Sequence, residues 1–549
     1  MATVENNVST LIEALLQPEC YPHAVKGLER LETHISWIFL TGPYAYKIKK
    51  PVNLGFLDFS SLEARRHYCE EELRLNRRLA HDLYLDVVEI RGLPHAPRIA
   101  GHGPVLDYAV RMRQFPQEAL ANRLLARGEL DPALVTRFAS HIAEFHAQLP
   151  PAVAESRYGT PESVLHNARE NFEQISSLLA TADDHEGLEV VRDWTERQLM
   201  LRCSELRDRR AAGMVRECHG DLHLGNIVLL GGELVPFDCI EFNPDFRWND
   251  VMSEVAFLMM DLLDRGAPRL AWLFLNDYLE ATGGYSGLSV LRFYLTYRAV
   301  VRAKIHLMRA SQAAEAAERT RLLGAYRDYM QLAQQCSAVA RPALLLMHGF
   351  AGCGKSTIAQ ELARTWGAIG VRSDVERKRL EGLQMLQRSE SPVGGGLYGQ
   401  DVTQATYARL AQVARVGLGA GYTVIVDATF LQRWQRAQLR EAASALGAPV
   451  AVLSVQAPED VLRQRIEGRA ARSNDPSEAT VAVLQYQRAA AQPIAEDERL
   501  PVMMVDGCAS ITPSLSMDIS RFLGGDSRAP DTDSVCRPSP VAGHPSLRS

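Results

Sequence analysis

The stretch His219-Gly220-Asp221-Leu222-His223-Leu224-Gly225-Asn226 is followed by an apolar run that ends in Pro236-Phe237-Asp238. It sets out an acid, then an amide, then a second acid beyond a strand. That set suits phosphoryl transfer, which asks for a placed nucleophile, neutralised phosphate charge and a held metal rather than covalent help. Asp221 can accept or orient the proton of a substrate hydroxyl. Asn226 and Asp238 offer the hard oxygens that Mg²⁺ prefers. Gly225 permits a tight loop beside the metal, and His219 and His223 read as buttresses of that loop. A second phosphate-handling signal lies at Gly349-Phe350-Ala351-Gly352-Cys353-Gly354-Lys355-Ser356, with Thr357-Ile358-Ala359 opening a helix behind it. Such a loop wraps phosphates in backbone N–H groups at a helix start. Gly349, Gly352, Cys353, Gly354, Lys355, Ser356 and Thr357 are its expected ATP contacts. Lys355 would reach the β/γ-phosphates, and the Ser356 hydroxyl would meet Mg²⁺.

The bulk of the chain narrows what surrounds these motifs. At 549 residues it needs more than one core. A formal charge of −6 argues against a general nucleic-acid or anionic-membrane binder. Nine scattered cysteines without a CxxC pair fit reduced thiols in a cytoplasm better than a disulfide framework. The start, Met1 to Thr10, has no basic-then-apolar leader pattern, and the apolar stretch Val255 to Leu263 is too short to span a bilayer. A cytoplasmic protein without a membrane partner is expected; oligomeric state is not readable.

The elements that must position the first motif read as a small sheet lobe and a large helical lobe. Residues His34 to Lys50 alternate around Thr41-Gly42-Pro43 as a β-hairpin. A charged helix from Ser61 to Ala80 carries Leu62, Leu73 and Leu79 on its apolar positions. Strands are expected at Asp86 to Arg91 and Leu106 to Gln114, then helices from Gln117, interrupted at 217–242, and helices again from Asp250 to Val339. Arg341-Pro342 marks a boundary. Ala343 to Met347 is a buried-type strand feeding the glycine loop, and helix and strand patterns alternate to about Phe522, as in a parallel α/β sheet. The division is 1–335, 341–525 and a Gly-, Pro- and Ser-rich tail, 526–549, expected to be disordered.

The HGDLHLGN stretch with its Phe-Asp resembles the aminoglycoside phosphotransferase and choline kinase superfamily, which shares the protein-kinase fold. The likeness spans about residues 30–335 and is sharpest at 217–242. It implies Asp221 as catalytic base, and Asn226 and Asp238 as metal ligands. It also implies a small-lobe lysine on the ATP phosphates paired with a helix glutamate. Lys47 is the choice, with Lys49 of the same side-chain parity as alternative; Glu72 is its partner, with Glu71 as alternative. No GxGxxG covers the phosphates, and only Gly42 marks that turn. Glu241, Asp245 and Asp250 are candidates to line a cationic acceptor site.

The second region resembles P-loop kinases of the polynucleotide-kinase and zeta-toxin type. By that likeness Asp374 handles the acceptor hydroxyl and Arg377, one helical turn on, holds substrate. Asp427 ends an apolar strand as a Walker B acid near the metal. Arg465, Arg469 and Arg472 lie where such kinases carry a mobile lid. A kinase is favoured over a mechanical ATPase, since no downstream array of arginine-finger and sensor signals is seen. The whole chain is similar to bacterial bifunctional aminoglycoside phosphotransferase/ATP-binding proteins. The expected fold is a protein-kinase-like bilobal α+β domain followed by a P-loop parallel α/β domain. The resemblance implies an ATP- and Mg²⁺-dependent phosphotransferase acting on a small-molecule hydroxyl. A nucleic-acid end is a disfavoured acceptor, and a nucleotide sensor with one active domain is the alternative.

Overall fold

The computed structural model describes residues 2–523 except 56, 339–340, 390 and 473–474, and leaves out the side chains of 2–6, 470–472 and 513. The expected tail, 526–549, and the Arg472 side chain lie outside the described residues. Two compact units result. One runs up to Leu134 and adds Glu144–Gly159 and Arg210–Glu254; the other holds Val135–Ala143, Thr160–Arg209 and the chain from Val255 on.

The first unit is built on six antiparallel strands: β1 (Glu29–Glu32), β2 (Ser36–Leu40), β3 (Tyr44–Lys49), β4 (Tyr84–Leu93), β5 (Ala96–Ile99) and β6 (Val105–Arg113), in the spatial order β1-β2-β3-β6-β4-β5. Alternation along β3 sends Tyr46 and Ile48 to one face and Ala45, Lys47 and Lys49 to the other. The Tyr46 face packs with Phe39, Ile90 and Leu11, Ile12 and Leu15 of the chain's first helical segment. That helix, Ala2–Ala14, was not expected, because its first residues read as polar. The opposite face receives the helix Leu62–Asn76, whose Ser61 hydroxyl caps it by accepting the Ala64 N–H at 3.0 Å.

The buried stripe of that helix is Arg65, Cys69, Glu72, Leu75 and Asn76, not the expected Leu62, Leu73 and Leu79, which are only partly covered. Burying charge on a helix face costs heavily unless each charge is paired. Arg65 meets Asp107 at 2.9 Å and Glu72 meets two lysines. Four short strands complete the unit: β7 (Val215–Glu217), β8 (Ile227–Leu230), β9 (Glu233–Pro236) and β10 (Trp248–Asp250), paired β8 with β9 and β7 with β10.

In the second unit β11 (Leu344–His348), β12 (Ile369–Arg372), β13 (Val424–Asp427), β14 (Val450–Gln456) and β15 (Val502–Asp506) form a parallel sheet in the order β12-β13-β11-β14-β15. The central β11 and β13 are nearly all buried and read as continuous apolar runs, as a sheet covered on both faces demands. The edge strand β15 carries the apolar run Val502 to Val505 yet is mostly exposed, since it has a neighbour on one side only. At the other edge, the side chain of Asn276, on the helix Pro268–Thr282, acts like a strand. It accepts the Gly370 N–H at 2.7 Å and donates to the Ala368 carbonyl at 3.0 Å. No helix among the described residues is long and apolar enough to cross a membrane.

Candidate functional sites

In the first unit the loop at 219–226 is fastened from below by a carboxylate that the sequence reading passed over. Glu254, 1% exposed, accepts the backbone N–H groups of His219 at 2.8 Å and Gly220 at 3.0 Å, and His146 Nε2 lies 2.8 Å from its other oxygen. Burial would raise its carboxyl, yet the His146 contact and the backbone N–H groups hold it down to about 2. Gly220, at φ 89°, carries the left-handed turn, where a Cβ would meet the Phe246 carbonyl at 2.9 Å. Gly225 matters for space instead: a Cβ there would sit 2.8 Å from the His223 ring. The two histidines buttress, as expected. His219 Nε2 bonds the Phe237 carbonyl at 2.9 Å, and His223 Nδ1 accepts the Gly225 N–H at 3.0 Å.

Asp221 accepts the Asn226 amide on Oδ2 at 2.9 Å and keeps a third of its side chain exposed. Asp238 stands at φ 66°, a conformation rare outside glycine. Its N–H donates to the Tyr84 hydroxyl at 3.1 Å, and the next N–H, of Cys239, donates to Asn76 at 2.9 Å. Lys47 reaches both Glu72, at 2.8 Å, and Asp238, at 2.5 Å. Lys49 bonds the other Glu72 oxygen at 2.8 Å and also Glu241. Both lysines therefore meet the same glutamate. Glu71 faces away from the lysines, toward Arg74 at 2.9 Å and Arg247 at 3.6 Å. Burial opposes charge on Glu72, but the two ammonium groups bring its carboxyl down to about 2. Burial likewise opposes charge on Lys47, and Asp238 and Glu72 more than restore it, lifting it well above the usual lysine range.

The hard-oxygen donors fit Mg²⁺. Asn226 spends its amide nitrogen on Asp221, leaving its oxygen, and Asp238 keeps 42% of its side chain exposed beside the lysine. The acids considered for a cationic acceptor are committed elsewhere: Glu241 is buried against Lys49, Asp250 is buried and accepts the Met252 N–H, and Asp245 pairs with Arg157. The Gly42 turn is tied down, its N–H donating to Gln114 at 2.8 Å.

In the second unit the glycine loop leaves β11 and enters the helix Lys355–Trp366. Gly349, Gly352 and Gly354 have φ 146°, 82° and 97°. Added Cβ atoms would lie 2.5, 2.8 and 2.9 Å from the carbonyls of Val455, Leu462 and Gly507. The cradle is thus both left-handed and too tight for side chains. Lys355 Nζ donates to the Phe350 carbonyl at 3.3 Å, so the lysine folds over its own loop. Ser356 and Thr357 sit in the first turn of that helix, and Cys353 is buried. Ser356 and Asp427 supply hydroxyl and carboxylate oxygens of the kind Mg²⁺ takes.

Asp374, in the helix Ser373–Leu380, and Asp427 lie at the carboxyl ends of β12 and β13, the edge where α/β sheets gather their ligand groups. Arg377 is buried, donating to Thr403 Oγ1 at 2.9 Å and the Leu397 carbonyl at 3.2 Å under the Tyr398 ring. Arg465 donates to the carbonyls of Gly352 at 3.3 Å and Gly507 at 3.0 Å, which ties it to the loop itself. Arg469 stands 3.8 Å from Asp475. Two cations that the motif reading left aside are central here. Lys378, 1% exposed, binds Glu478 at 3.0 Å and the carbonyls of Met385 and Gln387. Arg372 stands 3.2 Å from Glu280, 3.5 Å from Asp475 and 3.7 Å from Asp427. No spacing rule singles out either one, because their partners are distant in sequence.

Residues 57–294 match the Phosphotransferase enzyme family (APH), and residues 344–494 match an AAA domain family (AAA_33). A Mycobacterium tuberculosis protein described as uncharacterized is 31% identical over 467 residues, covering 83% of this chain and 89% of its own; a Mycobacterium bovis protein aligns with the same figures. Choline kinase from Cryptosporidium parvum aligns with 59% of this chain and 96% of its own at 12% identity and a TM-score of 0.37. A sugar kinase from Janibacter aligns with 34% of this chain and 97% of its own at 20% identity and a TM-score of 0.27. Both matched families carry kinase-type domains and support phosphotransferase chemistry. The chain belongs to the family of these mycobacterial proteins and joins an aminoglycoside phosphotransferase-like (APH) kinase-type domain to a P-loop domain of the AAA_33 family.

Proposed function

We propose that the protein is an ATP- and Mg²⁺-dependent phosphotransferase with two nucleotide sites, divided functionally at 1–335 and 341–525, each moving a phosphoryl group to a hydroxyl acceptor. The observation that carries this reading is the convergence of Lys47, Glu72, Asn226 and Asp238 beside Asp221. In that reading Lys47 neutralises ATP phosphate charge and Glu72 keeps the lysine charged and aimed. Asn226 and Asp238 hold Mg²⁺, and Asp221 orients the acceptor hydroxyl and takes its proton. The metal, when bound, offsets charge on the phosphate oxygens. At the second site the glycine cradle and Lys355 hold the triphosphate, with Ser356 and Asp427 on the metal side. Asp374 faces the acceptor, Arg377 braces its wall, Arg465 lies beside the loop, and Arg469, near Asp475, adds charge toward the ATP phosphates. The acceptors are read as small molecules, with a nucleotide or nucleic-acid end as the alternative class.

The test is product mass analysis with the full chain, ATP and a mixed panel of hydroxyl compounds and 5′-OH oligonucleotides. A gain of one phosphate that disappears in Asp221→Ala assigns the transfer to the first site; one that disappears in Lys355→Ala assigns it to the second. ATP bound without any phosphorylated product would overturn the two-enzyme reading. It would favour a nucleotide sensor, a reading motivated by the lack of a GxGxxG pattern in the first unit.

A further inference from the structure

Arg372 ends β12 with a guanidinium shared among three carboxylates from three parts of the second unit. Only Glu280, on the helix Pro268–Thr282, takes a hydrogen bond, from Nη1 at 3.2 Å. Asp475 and Asp427 stand at 3.5 and 3.7 Å as ion pairs without a hydrogen bond, and the buried Nε makes none. Glu280 is itself held. Its own carbonyl accepts from Arg379, and its helix is pinned to the β12 edge through Asn276. Tyr285 and Arg409 add bonds to Gly370 and Gly283 at 3.4 and 3.1 Å. The helix lies within the stretch that matches the phosphotransferase family, yet its carboxylate serves the P-loop fold.

We propose that Glu280 and Arg372 are positioning residues of the P-loop site: Glu280 draws the guanidinium aside, so that Asp427 keeps an oxygen for Mg²⁺. The physics is a competition for one cation. A guanidinium hydrogen-bonds whichever carboxylate is best placed, and charge-assisted bonds are stronger than contacts at 3.7 Å. With Glu280 neutral, Arg372 closes onto Asp427 and occupies the oxygen a metal needs. With Arg372 absent, Asp427 is left without its nearest cation and draws Mg²⁺ more strongly. This proposal rests on the reading of 344–494 as a nucleotide site.

The experiment is Mg²⁺ titration of fluorescent ATP-analogue binding to the full chain, counting only the signal lost in Lys355→Ala. Glu280→Gln should raise the half-saturating Mg²⁺ concentration by up to about fivefold, the scale of a partly screened ion pair. Arg372→Met should lower it, and the double variant should return to or below the wild-type value. A thermal melt of each variant, with and without the Mg²⁺-nucleotide, reports whether the fold survives. If Glu280→Gln fails to fold, Arg372→Met and the conservative Glu280→Asp carry the test. Unchanged Mg²⁺ dependence in folded single variants overturns the positioning role while leaving the nucleotide site standing. Absence of any Lys355-dependent binding in wild type overturns both.

Discussion

The two candidate sites handle the same kind of charge by opposite means. The site of the first unit is made of side chains from β3, the helix Leu62–Asn76, the loop at 219–226 and the segment after β9. Each is held by an ion pair or a backbone N–H. The P-loop is made of backbone, and its glycines matter for what they lack. A side-chain site needs distant segments brought together and desolvated charges balanced. A backbone site needs one short run in an unusual conformation at a helix start. The first should therefore break when one charge is removed, the second when one methyl is added.

The largest expected effect is on chemistry in the first unit. Asp221→Ala should cut transfer there by about 10²–10⁴-fold with little change in the melting midpoint, read by single-turnover kinetics and calorimetry. A loss shared by the Lys355-dependent activity would blur the contrast between the sites. Next, Glu72→Ala leaves two buried lysines without their common partner and should cost about 3–5 kcal/mol in urea unfolding. Glu71→Gln, one residue away and paired chiefly with the half-exposed Arg74, should cost no more than about 1 kcal/mol. Equal losses in the two variants would mean that the buried network is not what holds β3 to the helix.

Acid sharpens the same point. Glu254 titrates near 2 when folded against a usual 4.5, because the His146 contact and the backbone donors outweigh the burial that would raise it. Its stabilisation is complete above about pH 4.5 and fades as pH falls toward 2. It amounts to about 3 kcal/mol for this one group. Glu254→Gln should flatten that part of the stability–pH curve, measured by denaturant midpoints. The most local effect is expected from Gly354→Ala. It forces a side chain into a left-handed, crowded position at a strain of about 1–3 kcal/mol. It should still lower nucleotide binding at the second site, followed by titration with a fluorescent ATP analogue. Normal binding in this variant would show that the loop relaxes around a methyl group.

The sequence by itself determined the glycine cradle, the parallel sheet behind it, the hairpin that carries Lys47 and the HGDLHLGN loop. In each, the information is local: a glycine at a forbidden φ, an unbroken apolar run, an alternation of two. Tertiary structure alone decided that both lysines meet Glu72 rather than Glu71, and that Lys47 goes on to Asp238 while Lys49 goes on to Glu241. Lys47 and Lys49 share a face, and Glu71 and Glu72 differ by one residue, so parity and spacing could not separate them. It also decided that Glu241 lies buried against Lys49 rather than lining an acceptor pocket, that Glu254 holds the loop, and that Glu280 reaches Arg372. These are ion pairs and hydrogen bonds between segments far apart in the chain. A carboxylate in sequence looks the same whether water or a buried lysine will be its partner; only the packing that removes the water chooses.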